Sequence, residues 1–221
     1  LIVGKGVRWS GAYEELRLMV DNFDIPFIAS PMGRGYLPDV HPLCFNEARA
    51  LVQSRADVVL LAGARLDWTF RFGSEFDPSV KIIQIDIHER EIGVNHTPHV
   101  GITGDLKTVL RQIVAHMVLK KQSCDKRRIA PWWAILDEAK RGKTAPLDEL
   151  TRSAKIPMSP YRMLGEIRNF LPRNAICALD GNIFMAVAQQ VLPTYVPFSR
   201  FTAGTNGCMA VGIPFAICGK L

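Results

Sequence analysis

The 221-residue sequence lacks several things that would each fix a class. It has no apolar run near the roughly 20 residues that a membrane-spanning helix needs, so no membrane segment is expected. Its five cysteines (Cys44, Cys124, Cys177, Cys208, Cys218) are odd in number and contain no C-x-x-C pair. That usage reads as reduced thiols in a cytoplasmic protein and argues against a disulfide framework. His88 and His96 lie in a polar segment without metal-ligand spacing, and no intact G-x-G-x-x-G is present. Acidic residues number 21 against 27 basic ones, for a formal charge of +6. Such a balance suits anionic ligands such as phosphates, or is simply an ordinary basic surface. Nothing in the chain resembles a nucleic-acid-binding module. What remains, 48% apolar with 22% charged residues, is the composition of a globular protein.

From residue 1 to about 118 strand and helix patterns alternate. "LIVG" precedes a helix predicted over roughly 11–23, with Leu16, Met19, Val20 and Phe23 on one face. "IPFIAS" reads as a strand, followed by the loop "PMGRGYLPDVHP" at 31–42 and a helix near 43–54. "DVVLLAG" (57–63) and "KIIQIDI" (81–87) are continuous apolar strands, the pattern of a sheet covered on both faces. Leu106, Val109, Leu110, Ile113, Val114 and Met117 mark a helix with Asp105 as its N-cap. Repeated βα units imply a parallel sheet flanked by helices.

Residues 119–157 break the rhythm and read as a linker. Within it a charged run is followed by a helix opening at Pro131, whose Trp132–Trp133 pair suits interdomain packing. A second βα pattern occupies 158–221: a helix with Met163, Leu164, Ile167, Phe170 and Leu171 inward, then the strand "AICAL" ending at Asp180-Gly181-Asn182. Leu1 lies within an apolar strand and Leu221 within an apolar helix, so the chain is expected to be an internal piece of a longer protein. The stretch 201–221 is too apolar to be expected as a solvent-exposed terminus.

In an open parallel sheet, ligands lie beyond the carboxyl ends of the strands. Gly4 and Gly6 follow the first strand, Gly63 and Arg65 follow "DVVLLA", Asp86 sits inside "IQIDI", and Asp105 precedes the final helix. Glycine lets a backbone approach a diphosphate, arginine forks onto phosphate, and a carboxylate accepts from ribose hydroxyls. Turn and cap formation explains each of these residues alone. Together they point to a nucleotide crevice.

The segments "PMGRGYLPDVHP", "ADVVLLAGARLDW", "IIQIDIHEREIGVNHTPHVGITGD" and "AGTNGCMAVGIPFAI", in this order, resemble the thiamine-diphosphate-dependent enzymes of the acetolactate synthase and pyruvate oxidase superfamily. Within it they are most similar to the branch of oxalyl-CoA decarboxylase and 2-hydroxyacyl-CoA lyase. The resemblance extends over the chain apart from 119–157. It implies a Rossmann-like α/β central domain at 1–118, a linker at 119–157 and the start of a diphosphate-binding domain at 158–221. It also implies that the 31–42 loop borders a crevice holding FAD or ADP, matched by Gly63, Arg65, Asp86 and Asp105. Gly207 would give its carbonyl to the aminopyrimidine of thiamine diphosphate, Met209 would wedge beneath the cofactor, and Gly181 and Asn182 would touch its diphosphate. Ala210 departs from the family, which often has glycine there.

The resemblance places the magnesium-binding G-D-G…N motif beyond Leu221 and the glutamate that protonates the cofactor in a preceding domain. This chain therefore carries no expected catalytic residue and no metal ligand. The expected whole protein is a cytoplasmic homodimer or homotetramer cleaving or joining carbon–carbon bonds in 2-oxo acids or 2-hydroxyacyl- or oxalyl-CoA thioesters. Two alternatives stay open: an acetolactate synthase proper with FAD, and a catalytically silent nucleotide-binding module.

Overall fold

The structure, a computed structural model, describes residues 1–181 and 183–221. Five parallel strands, β1 (Ile2–Val3), β2 (Ile28–Ala29), β3 (Val58–Ala62), β4 (Lys81–Asp86) and β5 (Val100–Thr103), form one sheet in the order β2-β1-β3-β4-β5. Strand residues alternate between two apolar faces, as the twofold periodicity of a strand requires. Val3, Ala62 and Ile85 face one side, where α1 (Gly6–Ser10), α2 (Tyr13–Phe23) and α4 (Leu106–Leu119) bury Val7, Leu16, Met19, Val20, Leu106 and Leu110. Ile2, Ile28, Val59, Leu61 and Ile82 face the other, against Phe70, Phe76 and the partly buried Leu51 and Val52 of α3 (Arg49–Arg55). This is the Rossmann-like arrangement expected.

The helix predicted over 11–23 is α2, and the short α1 before it was not anticipated. Gly11, at φ +62, closes α1 in the left-handed conformation before α2 begins. Asp105 caps α4 as anticipated, its carboxylate accepting from the Thr108 amide at 2.9 Å.

The segment expected as a linker is dominated by a single helix, α5 (Lys126–Thr151), of 26 residues. It starts five residues before Pro131, with Asp125 accepting from the Arg127 and Arg128 amides. Pro131 and Pro146 each remove an internal hydrogen bond, which is why the sequence does not advertise a continuous helix. Tertiary contacts carry it instead. Leu136 is fully buried in the core of the five-stranded unit. The Lys140 ammonium donates to the Cys44 carbonyl at 2.8 Å and sits 5.4 Å from the centre of the Phe45 ring. Trp132 packs on the same core, while Leu147 joins the apolar cluster of the following unit.

That second unit comprises α6 (Pro160–Phe170), β6 (Cys177–Leu179), α7 (Ile183–Val191), β7 (Arg200–Thr202) and α8 (Gly212–Lys220), with β6 and β7 paired in parallel. Leu164, Leu179, Val187, Ala188 and Val191 form its core. Phe170, expected inward, stands 86% exposed at the last position of α6. Among the described residues no helix is long and apolar enough to cross a membrane.

Candidate functional site

The strand order reverses between β1 and β3, and the ends of these two strands define the switch point where open α/β sheets bind ligands. The chain leaves β1 through Gly4 and Gly6 and leaves β3 through Gly63. A side chain on Gly4 would overlap the Gly63 carbonyl, and one on Gly6 would come within 2.8 Å of the Gly63 Cα. Gly63 itself lies at φ +58, and its carbonyl accepts from the Gly6 amide at 3.0 Å. These glycines are required because two backbones touch. The touching turns leave a crevice of about 400 Å³ above them.

Five of the six expected residues, Gly6, Gly63, Arg65, Asp86 and Asp105, line that crevice. Gly4 lies behind it, in the backbone contact just described. The observed role of Gly4 is the close packing of the two turns. Three of the lining residues already have local partners. Arg65 Nη2 pairs with Glu91 Oε1 at 3.0 Å. Asp86, which is buried, accepts from the His88 amide at 3.0 Å. One Asp105 oxygen holds the Thr108 amide and hydroxyl, both at 2.9 Å. Lys5, Trp9, Ser10, Ile87, His88 and Leu106 complete the lining. None of these six stood out from the sequence as a ligand-lining residue. Trp9 is 76% exposed, an apolar surface at the mouth of a charged crevice.

The 31–42 loop does something other than expected. Its start stays at the strand ends: Gly33 packs on the Val3 carbonyl, and Pro31 and Met32 border a small pocket beside the crevice with Lys5, Arg65 and Asp67. Arg34, Gly35 and Asp39 form a seam with the second unit, while His41 turns back to Asp21 of α2. Arg34 Nη2 and Asp39 Oδ2 pair at 2.6 Å with side chains 11% and 5% exposed. Arg34 also donates to the Gln189 carbonyl, and Asp39 accepts from the Thr194 amide at 2.7 Å and from Asn46 Nδ2 at 3.0 Å. Behind this seam Arg200 donates to the Leu192 carbonyl and to Thr194 Oγ1. Burial, reinforced by Arg34, lowers its guanidinium pKa to about 9. The proline- and glycine-rich composition serves this docking: a side chain on Gly35, at φ +88, would strike Thr194 at 2.5 Å.

At the carboxyl ends of β6 and β7 lies a second feature. Gly181 and Gly207 sit there at φ +81 and +61, with no atom of the described residues within 4 Å of where a side chain would be. Backbone is thus open to a ligand at both strand ends. Met209 is 81% exposed, an apolar side chain left largely to solvent. Asp180 links the two loops, accepting from the Gly181 amide at 2.6 Å and the Gly212 amide at 2.8 Å. Those amides, Gly212 first, hold its pKa below the usual 3.8. The Gly181 amide is therefore engaged by its neighbour and is not a free donor. Asn182 lies outside the described residues. Ala210 adopts φ +64, which explains why glycine suits that position. Among the described residues no group of three or more histidine, cysteine, aspartate or glutamate side chains could hold a metal ion.

A parallel α/β sheet with a crevice at its switch point defines a broad class of ligand-binding folds. Sequence comparison narrows it: residues 1–113, just over half of the chain, match the family described as thiamine pyrophosphate enzyme, central domain. The chain belongs to that family. It is 36% identical over 219 residues to human 2-hydroxyacyl-CoA lyase 1, covering 98% of this chain and 38% of the relative. The rice 2-hydroxyacyl-CoA lyase is 33% identical over 223 residues, again 98% and 38%. Oxalyl-CoA decarboxylase of Escherichia coli K12 is 31% identical over 220 residues, with the same coverage. The chain thus spans about 38% of the length of these relatives.

Proposed function

We propose that this chain forms the central unit and the opening of the diphosphate-binding unit of a thiamine-diphosphate-dependent carbon–carbon lyase acting on 2-hydroxyacyl- or oxalyl-CoA thioesters. The observation that carries this reading is the pair of open, left-handed glycines at adjacent parallel strand ends, with Met209 exposed beside them. Backbone without a side chain at both ends suits a flat, charged cofactor. The relatives bearing CoA-lyase and decarboxylase names favour a CoA thioester over a free 2-oxo acid.

When bound, thiamine diphosphate supplies an electron sink for cleaving a bond next to a carbonyl. The role of this chain is to hold and orient it. The Gly207 carbonyl would accept from the aminopyrimidine, and Met209 would supply an apolar contact to the cofactor. Asp180 keeps the Gly181 turn and the start of α8 in fixed relation. Magnesium would be bound by residues outside the chain. The crevice between β1 and β3 would take an adenine nucleotide, ADP or FAD, with Arg65 and Lys5 toward phosphate and Asp86 toward ribose. The exposed Met209, Ile213 and Ile217 support a homo-oligomeric whole protein in which another subunit covers them.

The test uses the full-length protein with magnesium and thiamine diphosphate, offered 2-hydroxyacyl-CoA, oxalyl-CoA and free 2-oxo acids in parallel. Turnover of a CoA thioester is expected, and Met209→Ala should lower it strongly. A full-length protein that binds no cofactor and turns over none of the three would leave a silent nucleotide-binding module as the answer. Calorimetric titration with ADP and FAD tests the crevice. Unchanged affinity in Arg65→Ala would remove that residue from it.

A further inference from the structure

We propose that Trp68, through its indole N–H, is a positioning residue that fixes the thiamine-ring loop from the central unit. The inference rests on the reading of that loop given above. Trp68 Nε1 donates to the Thr205 carbonyl at 2.7 Å, across 137 residues of sequence. The ring is 51% exposed, so burial is not what holds it there. Thr205 sits in the 3-10 turn Gly204–Asn206, immediately before Gly207. Residues Ala203 to Thr205 are half-buried, and Asn206 to Ala210 are exposed. The indole bond thus falls at the boundary between the anchored and free stretches of the loop.

A second central-unit residue grips the same turn. Gly204 is at φ +60, and a side chain there would overlap the Met32 sulfur. Met32 and Trp68 both approach from the central unit, and the small pocket beside the crevice is bounded by Met32, Asp67, Gly204 and Thr205.

The segment presenting Trp68 is itself fixed against local preference. The Asp67 carboxylate accepts from the Thr69 amide at 2.9 Å and its hydroxyl at 2.6 Å, while the Asp67 carbonyl holds the Phe72 amide at 2.9 Å. Phe70 is fully buried, with the Arg49 guanidinium 4.7 Å from its ring centre. Between these anchors Arg71 and Phe72 are forced to φ +48 and +54, where side chains crowd the backbone. Over-determined backbone of this kind is a recurrent sign of a functional constraint. Here its product is a rigid mount for the indole. The Asp67–Thr69 and Phe70 contacts explain the fold of the segment, but the Trp68 contact adds nothing to either core.

The experiment is Trp68→Phe in the full-length protein, which keeps an aromatic ring and deletes the donor. Thiamine diphosphate affinity is read by titration calorimetry with magnesium present, and kcat and KM for the acyl-CoA substrate are measured separately. Loss of one hydrogen bond should weaken cofactor binding roughly five- to tenfold and lower kcat with KM unchanged. The melting temperature should move by less than about 2 °C, since a half-exposed bond contributes little to the fold. Met32→Ala, loosening the other side of the grip, should weaken cofactor binding in the same direction. A bond that merely glues the units would do the reverse, lowering the melting temperature and sparing affinity. If both variants bind the cofactor within twofold of the wild type, the positioning role is wrong. If the wild type binds none, the reading of the loop fails, and the role of Trp68 with it.

Discussion

Replacing Asp39 with alanine should be the most damaging single polar change in the chain. Its carboxylate is 5% exposed and answers three donors: the Arg34 guanidinium, the Asn46 amide and the Thr194 backbone N–H. Alanine leaves Arg34 charged and 11% exposed without its counter-ion, with the Thr194 amide also unpaired. Removing one partner of a buried pair costs about 3–5 kcal/mol, because a stranded charge is worse than no pair. For a chain of this size each kcal/mol lowers the melting temperature by roughly 2–4 °C, so a fall of roughly 6–20 °C is expected. Because the pair joins the two units, scanning calorimetry should also separate one transition into two. The double change Arg34→Met with Asp39→Leu removes both charges and should recover much of the loss. An Asp39→Ala protein melting within about 2 °C of the wild type would refute the view of this seam as a buried ionic lock.

Three further outcomes follow from the packing and the cofactor loops. Leu136→Ala empties a fully buried site under the five-stranded sheet and should cost about 2–5 kcal/mol in chemical denaturation; a loss below about 1 kcal/mol would mean that α5 does not belong to that core. Ala210→Gly relieves a left-handed residue at φ +64 and should raise stability by up to about 1 kcal/mol, the steric relief of roughly 1–2 kcal/mol exceeding the added chain entropy; a less stable glycine variant would contradict this. Asp180 is held below pH 3.8 by the Gly212 and Gly181 amides, so its contribution is complete above that value and is lost as the pH falls through its lower folded pKa. Titration of those two amide resonances by NMR should give a midpoint below 3.8, and a midpoint at or above it would show the bonds to be absent.

The apolar runs at 57–63 and 81–87 announced β3 and β4 because strands covered on both faces are dominated by Val, Ile and Leu, with Gln84 and Asp86 the buried polar exceptions in β4. The convergence of Gly6, Gly63, Arg65, Asp86 and Asp105 was legible for a topological reason: parallel strands all deliver their carboxyl ends to one edge. β5 was harder, since Val100–Thr103 is an exposed edge strand interrupted by Gly101. The true use of Arg34 and Asp39 was hidden by distance. Their partners at 189 and 194 lie 155 residues away, and no local pattern specifies them. α5 was hidden by its prolines, because its stability resides in Leu136, Lys140 and Trp132 touching other elements and not in its own propensity. Trp68 closes one of the segments that carry the resemblance, but its contact left no local signal, since its partner is a backbone carbonyl 137 residues away.

The helix α5 bears on how such proteins exchange segments in evolution. The family match stops at residue 113, yet Leu136 fills the core of the matched unit, and Lys140 ties itself to the Cys44 carbonyl there. At about 1.5 Å per residue the helix runs roughly 39 Å, reaching from that core to the apolar cluster of the next unit. A recombination junction placed in the exposed stretch 120–123 would look harmless in sequence and would sever the cover from the sheet it covers. Grafts between relatives should therefore succeed only when residues 126–151 travel with the central unit and when positions 34, 39 and 194 come from compatible parents. The heritable module is longer than the homologous one.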